Sequence, residues 1–182
     1  MNTYLTVEEI DFFKECILLS YDTLFKIGPN QKEHYYQLLL EENLRVNGYR
    51  VIKEKTFQCT YSDINNEPCQ LGHGTNFRTD LEIGKLGLLL ELKQSSSPST
   101  DTHMSQLRSY MIHRNDIKIG AVVNFISKET KTNSNAYVEI TIIKKTGKMT
   151  SYGNIQRPQL FQCKPLKSDE IPSISEYVIF EE

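Results

Sequence analysis

Residues 77–94, FRTDLEIGKLGLLLELKQ, restrict the fold more than any other stretch of the chain. The run 88–94 is leucine-rich on both faces at its start, as in a strand near the middle of a covered sheet. The Gly84–Gly87 turn predicts that the run 77–83 folds back against it as a hairpin. Into this apolar strand the sequence sets two charges, Glu91 and Lys93. Strand side chains two apart share a face, so both point the same way. If the two runs pair across the turn, Asp80 stands beside Glu91. A salt-bridged strand is the plain alternative, but burying a carboxylate among leucines is costly without a partner. That cost favours a purposeful site.

The remaining pattern builds layers around this hairpin. Thr6 with Glu9 reads as a capping box, and Val7, Ile10, Ile17, Tyr21 and Leu24 recur at helical spacing, predicting a helix over 7–26. Gly28-Pro29 ends it. Asn30 with Glu33 reads as a second capping box, opening a helix through Tyr36, Leu39, Leu40 and Leu44 to about Gly48. Tyr49–Tyr61 reads as strand and 62–76 as a turn-rich loop. After a polar loop at Ser95–Thr100, Asp101–Arg114 has helical spacing. Ile119–Ile126 and Ala136–Lys144 read as strands, with Gly147 closing a hairpin into the tail. Two helices, three strands, a helix and further strands predict an α/β fold, a mixed central sheet flanked by helices. The 182 residues suit one domain, expected to have a core at about 28–126, an N-terminal helix over 7–26 and a basic, β-rich tail over 127–182.

Composition excludes several classes. No apolar run is long enough for a transmembrane helix. The start lacks a basic n-region and an apolar h-region, so an intracellular protein is expected. The four cysteines, Cys16, Cys59, Cys69 and Cys163, then read as free thiols. Cys59, Cys69 and His73 could suggest zinc, but their spacing fits no tight knuckle. A net charge of −2 does not advertise nucleic acid. Its distribution says more: residues 1–50 hold eight acids against five bases, and residues 117–167 nine bases against two acids. A basic end can hold a polyanion locally, which makes Lys144 and Lys145 candidate nucleic-acid contacts. A solvated lysine-rich hairpin explains the charge equally well.

An Asp and a Glu from adjacent strands, with a lysine one pleat on, can hold a hard divalent cation. Carboxylate oxygens suit Mg²⁺ or Mn²⁺, which keep waters and borrow phosphate oxygens from a substrate. The lysine would orient an attacking water or offset charge in the transition state.

Arg78-x-Asp80 followed by Glu91-x-Lys93 resembles the core signature of the PD-(D/E)XK nucleases, with Thr79 where the motif's name has proline. Gly28-Pro29-Asn30-Gln31-Lys32-Glu33-His34-Tyr35-Tyr36 resembles the opening motif of the GxxExxY family, a branch of that superfamily. There a glycine ends one helix, and the next carries a glutamate with a tyrosine three residues later. His103-Met104-Ser105-Gln106-Leu107-Arg108-Ser109-Tyr110 resembles that family's H-x-x-Q-L-x-x-Y helix. Gly120-Ala121-Val122-Val123-Asn124-Phe125 resembles its G-x-x-x-N-F strand.

The resemblance runs from about Gly28 to Phe125 with four motifs in order. It implies a restriction-endonuclease-like core and a Mg²⁺- or Mn²⁺-dependent nuclease, with DNA ahead of RNA on the superfamily's account alone. Asp80 and Glu91 would bind metal, Lys93 would act at the water or scissile phosphate, and Glu33 and Gln106 would complete the site. Arg78 and His103 would reach phosphate. Each has a plainer reading: Glu33 as the N3 glutamate of a cap, Gln106 as a surface residue, His103 as a helix-terminal one, and Arg78 as a partner of a carboxylate. Glu41 and Glu42 compete with Glu33 as the helix acid, or form a solvated face. Two rival functions stand beside the nuclease: a non-catalytic nucleic-acid-binding or scaffold protein that keeps the fold, and a phosphohydrolase of small nucleotides.

Overall fold

A computed structural model describes residues 5–58, 60–62, 68–70, 76–98, 101–129, 134–145, 159–162 and 178–180. Helix α1 (Val7–Ile27) begins on the expected capping box: the Thr6 hydroxyl accepts from the Glu9 amide, and the Glu9 carboxylate accepts from the Thr6 amide. It ends at Gly28, whose φ of 85° lies in the left-handed region that glycine reaches without a Cβ penalty. Phe12, Phe13, Cys16, Ile17, Tyr21 and Leu24 form its buried stripe.

Helix α2 (Glu33–Val46) departs from expectation at its start. Lys32 is the N-cap and makes no side-chain capping bond, so Glu33 is the first helical residue and not the N3 glutamate of an Asn30 box. The preceding turn is held from elsewhere. The Asn30 amide donates to Ser127 Oγ at 3.2 Å, and the Gln31 amide to the Tyr36 hydroxyl at 3.2 Å. Tyr36, Leu40 and Leu44, four residues apart, are all fully buried.

The expected strand over 49–61 is three short ones: β1 (Val51–Lys53), β2 (Thr56–Gln58) and β3 (Thr60–Ser62). The supposed loop after it contains β4 (Pro68–Gln70), paired with β3, and the start of β5 (Asn76–Arg78). The expected run 77–83 is also broken. Strand β5 pairs with β2 in a separate two-stranded sheet, whereas β6 (Leu81–Ile83) pairs with β1 and with β7 (Leu88–Ser95) in the main one. Thr79 and Asp80 are the junction.

Helix α3 (Asp101–His113) connects β7 to β8 (Ile119–Glu129), and these two strands are parallel. Strands β9 (Ser134–Lys144), β10 (Gln159–Gln162) and β11 (Val178–Phe180) add antiparallel neighbours. The order in the main sheet is β1-β6-β7-β8-β9-β10-β11, a mixed sheet as predicted. Gly147 lies outside the described residues.

Alternation along the central strands divides the core. Leu88, Leu90 and Leu92, with Ala121, Val123, Phe125, Val138, Ile140 and Ile142, pack beneath α1 and α2. Leu89, Val122 and Ile143 face α3 through Met104, Leu107, Tyr110 and Met111. Gly120 lets α3 approach: a Cβ there would stand 2.6 Å from Met111 Sδ and 2.8 Å from Leu107 Cδ1. Glu91 and Lys93 lie on the α3 side by the same alternation.

Candidate active site

The junction between β5 and β6 creates the site. Leu81 is opposite Leu90 in the β6–β7 ladder, and one further step brings Asp80 beside Glu91. Because β5 has turned away, the Asp80 side chain takes the edge of β7 that the departing strand leaves. The Leu92 amide donates to Asp80 Oδ2 at 2.7 Å. Glu91 is 1% exposed. Its Oε1 accepts from Lys93 Nζ at 2.7 Å, and its Oε2 has no hydrogen-bond partner among the described residues. Lys93 Nζ also lies 4.0 Å from Glu33 Oε1, at the start of α2.

Glu33 is aimed there by its helix. Tyr36, one turn on, stacks on Phe125 with ring centroids 4.4 Å apart and an interplanar angle of 10°. Its hydroxyl donates to the Gly28 carbonyl at 2.7 Å. The end of α1 and the start of α2 are thereby fixed to each other over β8. Among the competing acids, Glu41 is buried and paired with Arg45 at 2.8 Å and Lys53 at 3.7 Å, and Glu42 is exposed.

Burial and charge pull this cluster in opposite directions. Burial raises the Glu91 pKa and the Asp80 charge raises it further, against Lys93, to about 7. Asp80 is also raised, chiefly by burial, although the Leu92 amide and Lys93 hold it back. For Lys93, burial favours the neutral amine, but Glu91, Glu33 and Asp80 outweigh it and leave the pKa above the ordinary value. The lysine is thus held as a cation: a donor and counter-charge, not a base.

Helix α3 roofs the same face. His103 has a lowered pKa, from burial and from Lys93, opposed by Glu139. Gln106 Nε2 donates to the Tyr110 hydroxyl at 2.7 Å. Tyr110 in turn has a raised pKa, from burial first and then from the charges of Glu91 and Asp80. Two residues here were not singled out for the site from the sequence. Asn124 stands beside Lys93 in the parallel ladder, and Glu139 stands opposite Asn124 on β9. Asn124 accepts from Ser95 Oγ at 3.0 Å and donates to the Ser97 carbonyl at 3.1 Å, tying down the chain that leaves β7. Glu139 is 1% exposed. Its only sequence signal was a charge within an alternating strand.

Other candidates are placed elsewhere. Arg78 does not share a continuous strand with Asp80; it ends β5, is exposed and lies 3.9 Å from Glu54. Lys144 is opposite Ile119, five residues along β9 from Glu139 and at the far end of the sheet from Lys93. It pairs with Glu9 at 2.8 Å, and Lys145 Nζ donates to the Arg114 carbonyl at 2.5 Å. Both side chains are thus turned onto the protein, away from Asp80, Glu91 and Lys93. Cys59, His73 and Cys163 lie outside the described residues, as does the side chain of Cys69.

The profile of the PD-(D/E)XK nuclease superfamily matches residues 11–136, more than half of the chain. The chain belongs to the PD-(D/E)XK nuclease superfamily. Members are generally nucleases that use divalent metals. A solved structure titled "Crystal structure of SSO0001" is similar at 18% identity and a TM-score of 0.39. It covers 58% of this chain, which spans about half (48%) of that one; so slight a likeness carries no argument. No curated protein matches.

The donor set in this PD-(D/E)XK chain fits a hard divalent cation. Asp80, just before β6, and Glu91 on β7 supply the carboxylates, and Glu91 Oε2 is a buried oxygen without a donor among the described residues. Among the described residues, no three His, Cys, Asp or Glu side chains converge as an all-protein cage. Two carboxylates suffice for Mg²⁺ or Mn²⁺ when waters and substrate phosphate complete the shell. Among the described residues, no helix is long and apolar enough to cross a membrane.

Proposed function

We propose that the protein hydrolyses phosphodiester bonds in nucleic acid, DNA before RNA, with Mg²⁺ or Mn²⁺ held by Asp80 and Glu91. The observation that carries this reading is the buried Glu91. One of its oxygens is on Lys93 at 2.7 Å and the other lacks a partner among the described residues, beside an Asp80 fixed by the Leu92 amide. A bound cation would offset phosphate charge and make an attacking water more acidic. Lys93 donates toward the oxygens that gain negative charge as the phosphorus is attacked, at a place already set in the folded chain. Glu33, within reach of Lys93, orients that ammonium. Gln106 and Tyr110 close the cleft from α3, and His103 stands at its phosphate side.

Membership of the GxxExxY branch is part of the proposal. It is supported by Gly28, Glu33 and Tyr36, which act together as the hinge that presents the helix acid. So is the single-domain organisation, with the core at about 28–126. The test is incubation of the purified chain with single- and double-stranded DNA and RNA, in Mg²⁺, Mn²⁺ or EDTA. Cleavage that needs the metal and is lost in Glu91→Ala is expected. Metal-independent cleavage, or Glu91→Ala cutting at the wild-type rate, overturns the reading.

A further inference from the structure

Thr79 occupies the place where the motif's name has proline, and it uses the two groups that proline lacks. It is fully buried. Its amide donates to the Lys55 carbonyl at 3.1 Å. Its hydroxyl lies 3.0 Å from Glu82 Oε1 and 3.2 Å from the same Lys55 carbonyl. Across the junction, the Glu54 amide donates to the Asp80 carbonyl at 2.9 Å. Strands β2 and β5, which continue the chain on either side of the β1–β6 pair, thus leave the main sheet together, and this corner sets where Asp80 stands.

The acceptor on Glu82 is itself immobilised. Glu82 is 3% exposed and lies two residues after Asp80, within β6. Arg114, just after α3, grips it with two nitrogens, at 2.7 and 3.1 Å. The same guanidinium is held by Asp116 at 2.6 and 2.8 Å, and its central carbon lies 5.3 Å from the centre of the Phe57 ring. Lys55 adds a second cation 3.4 Å from Glu82. A planar, bidentate Arg–carboxylate pair is a rigid fixture. A buried pair of this kind adds little net stability, because desolvation offsets the attraction, so specifying one geometry is the better account of it.

We propose that Thr79, braced by the Glu82–Arg114 pair, is a positioning residue for Asp80. It locks the break between β5 and β6 so that the Asp80 carboxylate meets the Leu92 amide and faces Glu91. This rests on the reading of Asp80 as a metal ligand. Partners behind a ligand commonly alter metal affinity by about 10–100-fold when removed.

The test is calorimetric titration of the full chain with Mn²⁺ alone, paired with hydrogen exchange at the Leu92 amide without metal. Thr79→Val removes the hydroxyl and keeps the volume; Thr79→Ala keeps only the amide; Thr79→Ser restores the hydroxyl. Val and Ala variants should bind Mn²⁺ about tenfold more weakly, with Ser near wild type. Leu92 exchange should quicken in Val and Ala while α1 core amides keep their protection. Wild-type affinity in Thr79→Val, or Thr79→Ser as weak as Thr79→Val, overturns the inference alone. Exchange that quickens equally in α1 overturns it too, by making Thr79 a general packing residue. A wild-type chain that binds no Mn²⁺ overturns the metal site and this inference with it.

Discussion

Lys93 Nζ lies 2.7 Å from Glu91 Oε1, so the lysine folds back along its own strand onto a carboxylate two residues away. Glu91 holds that ammonium in its charged form, with Glu33 and Asp80 adding to it. The charge it can offset on phosphate is greatest in the transition state. An interaction strongest there lowers kcat more than ground-state binding. Lys93→Ala should therefore cut single-turnover cleavage by about 10²–10³, the usual loss for one preorganised electrostatic group, with nucleic-acid affinity nearly unchanged. Cleavage at the wild-type rate would make Lys93 a structural lysine.

Metal binding should depend on pH through Glu91. Its carboxyl rises from an ordinary value near 4.5 to about 7 in the fold. The folded chain therefore holds that proton more tightly than the unfolded chain. Without metal, the associated stability is fully present below the ordinary carboxyl range and is lost as pH rises to about 7. A cation needs the carboxylate, so Mn²⁺ affinity should move the other way. It should climb by up to about tenfold per pH unit for each proton displaced, then level off above neutrality. Calorimetry in buffers of different ionisation enthalpy should show proton release at pH 6 and little at pH 8. A flat affinity across that interval would mean that Glu91 is already ionised without metal.

Tyr36 supports the site through two bonds and a stack. Tyr36→Phe keeps the stack on Phe125 but removes the hydroxyl between the Gly28 carbonyl and the Gln31 amide. The expected loss is about 1–2 kcal/mol, since two partly buried backbone groups lose their partner. In a chain of this size that is a fall in Tm of roughly 2–8 °C. Tyr36→Ala should lose about 3–5 kcal/mol, because the ring's packing goes too. A Phe variant melting with the wild type would show that solvent replaces the hydroxyl at both groups.

How much of this was legible depends on whether the cause was local. Glu91 and Lys93 share a face by strand parity, and the Gly84–Gly87 turn puts Asp80 beside them, so the juxtaposition at the centre of the candidate site could be read directly. The Tyr36, Leu40 and Leu44 stripe is equally local. The break at Thr79 was not readable, because 77–83 has no Gly or Pro to mark it. Its cause lies at Lys55 and, through Glu82, at Arg114. The Asn30 cap failed for the same kind of reason: Ser127, 97 residues away, takes the Asn30 amide. Glu139 joins the row of Lys93 and Asn124 only once β9 is known to lie beside β8.

The charge of the C-terminal half pointed to Lys144 and Lys145 as the hold on nucleic acid, and the structure gives the opposite expectation. Lys144 is bonded to Glu9 Oε2 at 2.8 Å, the same oxygen that accepts from the Thr6 amide in the cap of α1. It therefore fastens the first turn of α1 to the end of β9. Both partners are largely shielded, with side-chain exposures of 18% and 13%. Lys145 closes onto the Arg114 carbonyl after α3. Neither is in the row of Lys93, Asn124 and Glu139. Lys144→Ala should cost about 1–3 kcal/mol, as for the loss of a charged hydrogen bond between shielded partners, with the cap still formed by Thr6 and Glu9. Lys144→Ala/Lys145→Ala should then melt a few degrees lower yet bind nucleic acid with the wild-type affinity and salt dependence. A lost phosphate contact would instead flatten the plot of log affinity against log salt by about one unit per lysine. A flattened slope in the double variant would return these lysines to the nucleic-acid interface and move the bound strand across the sheet, away from the cleft under α3.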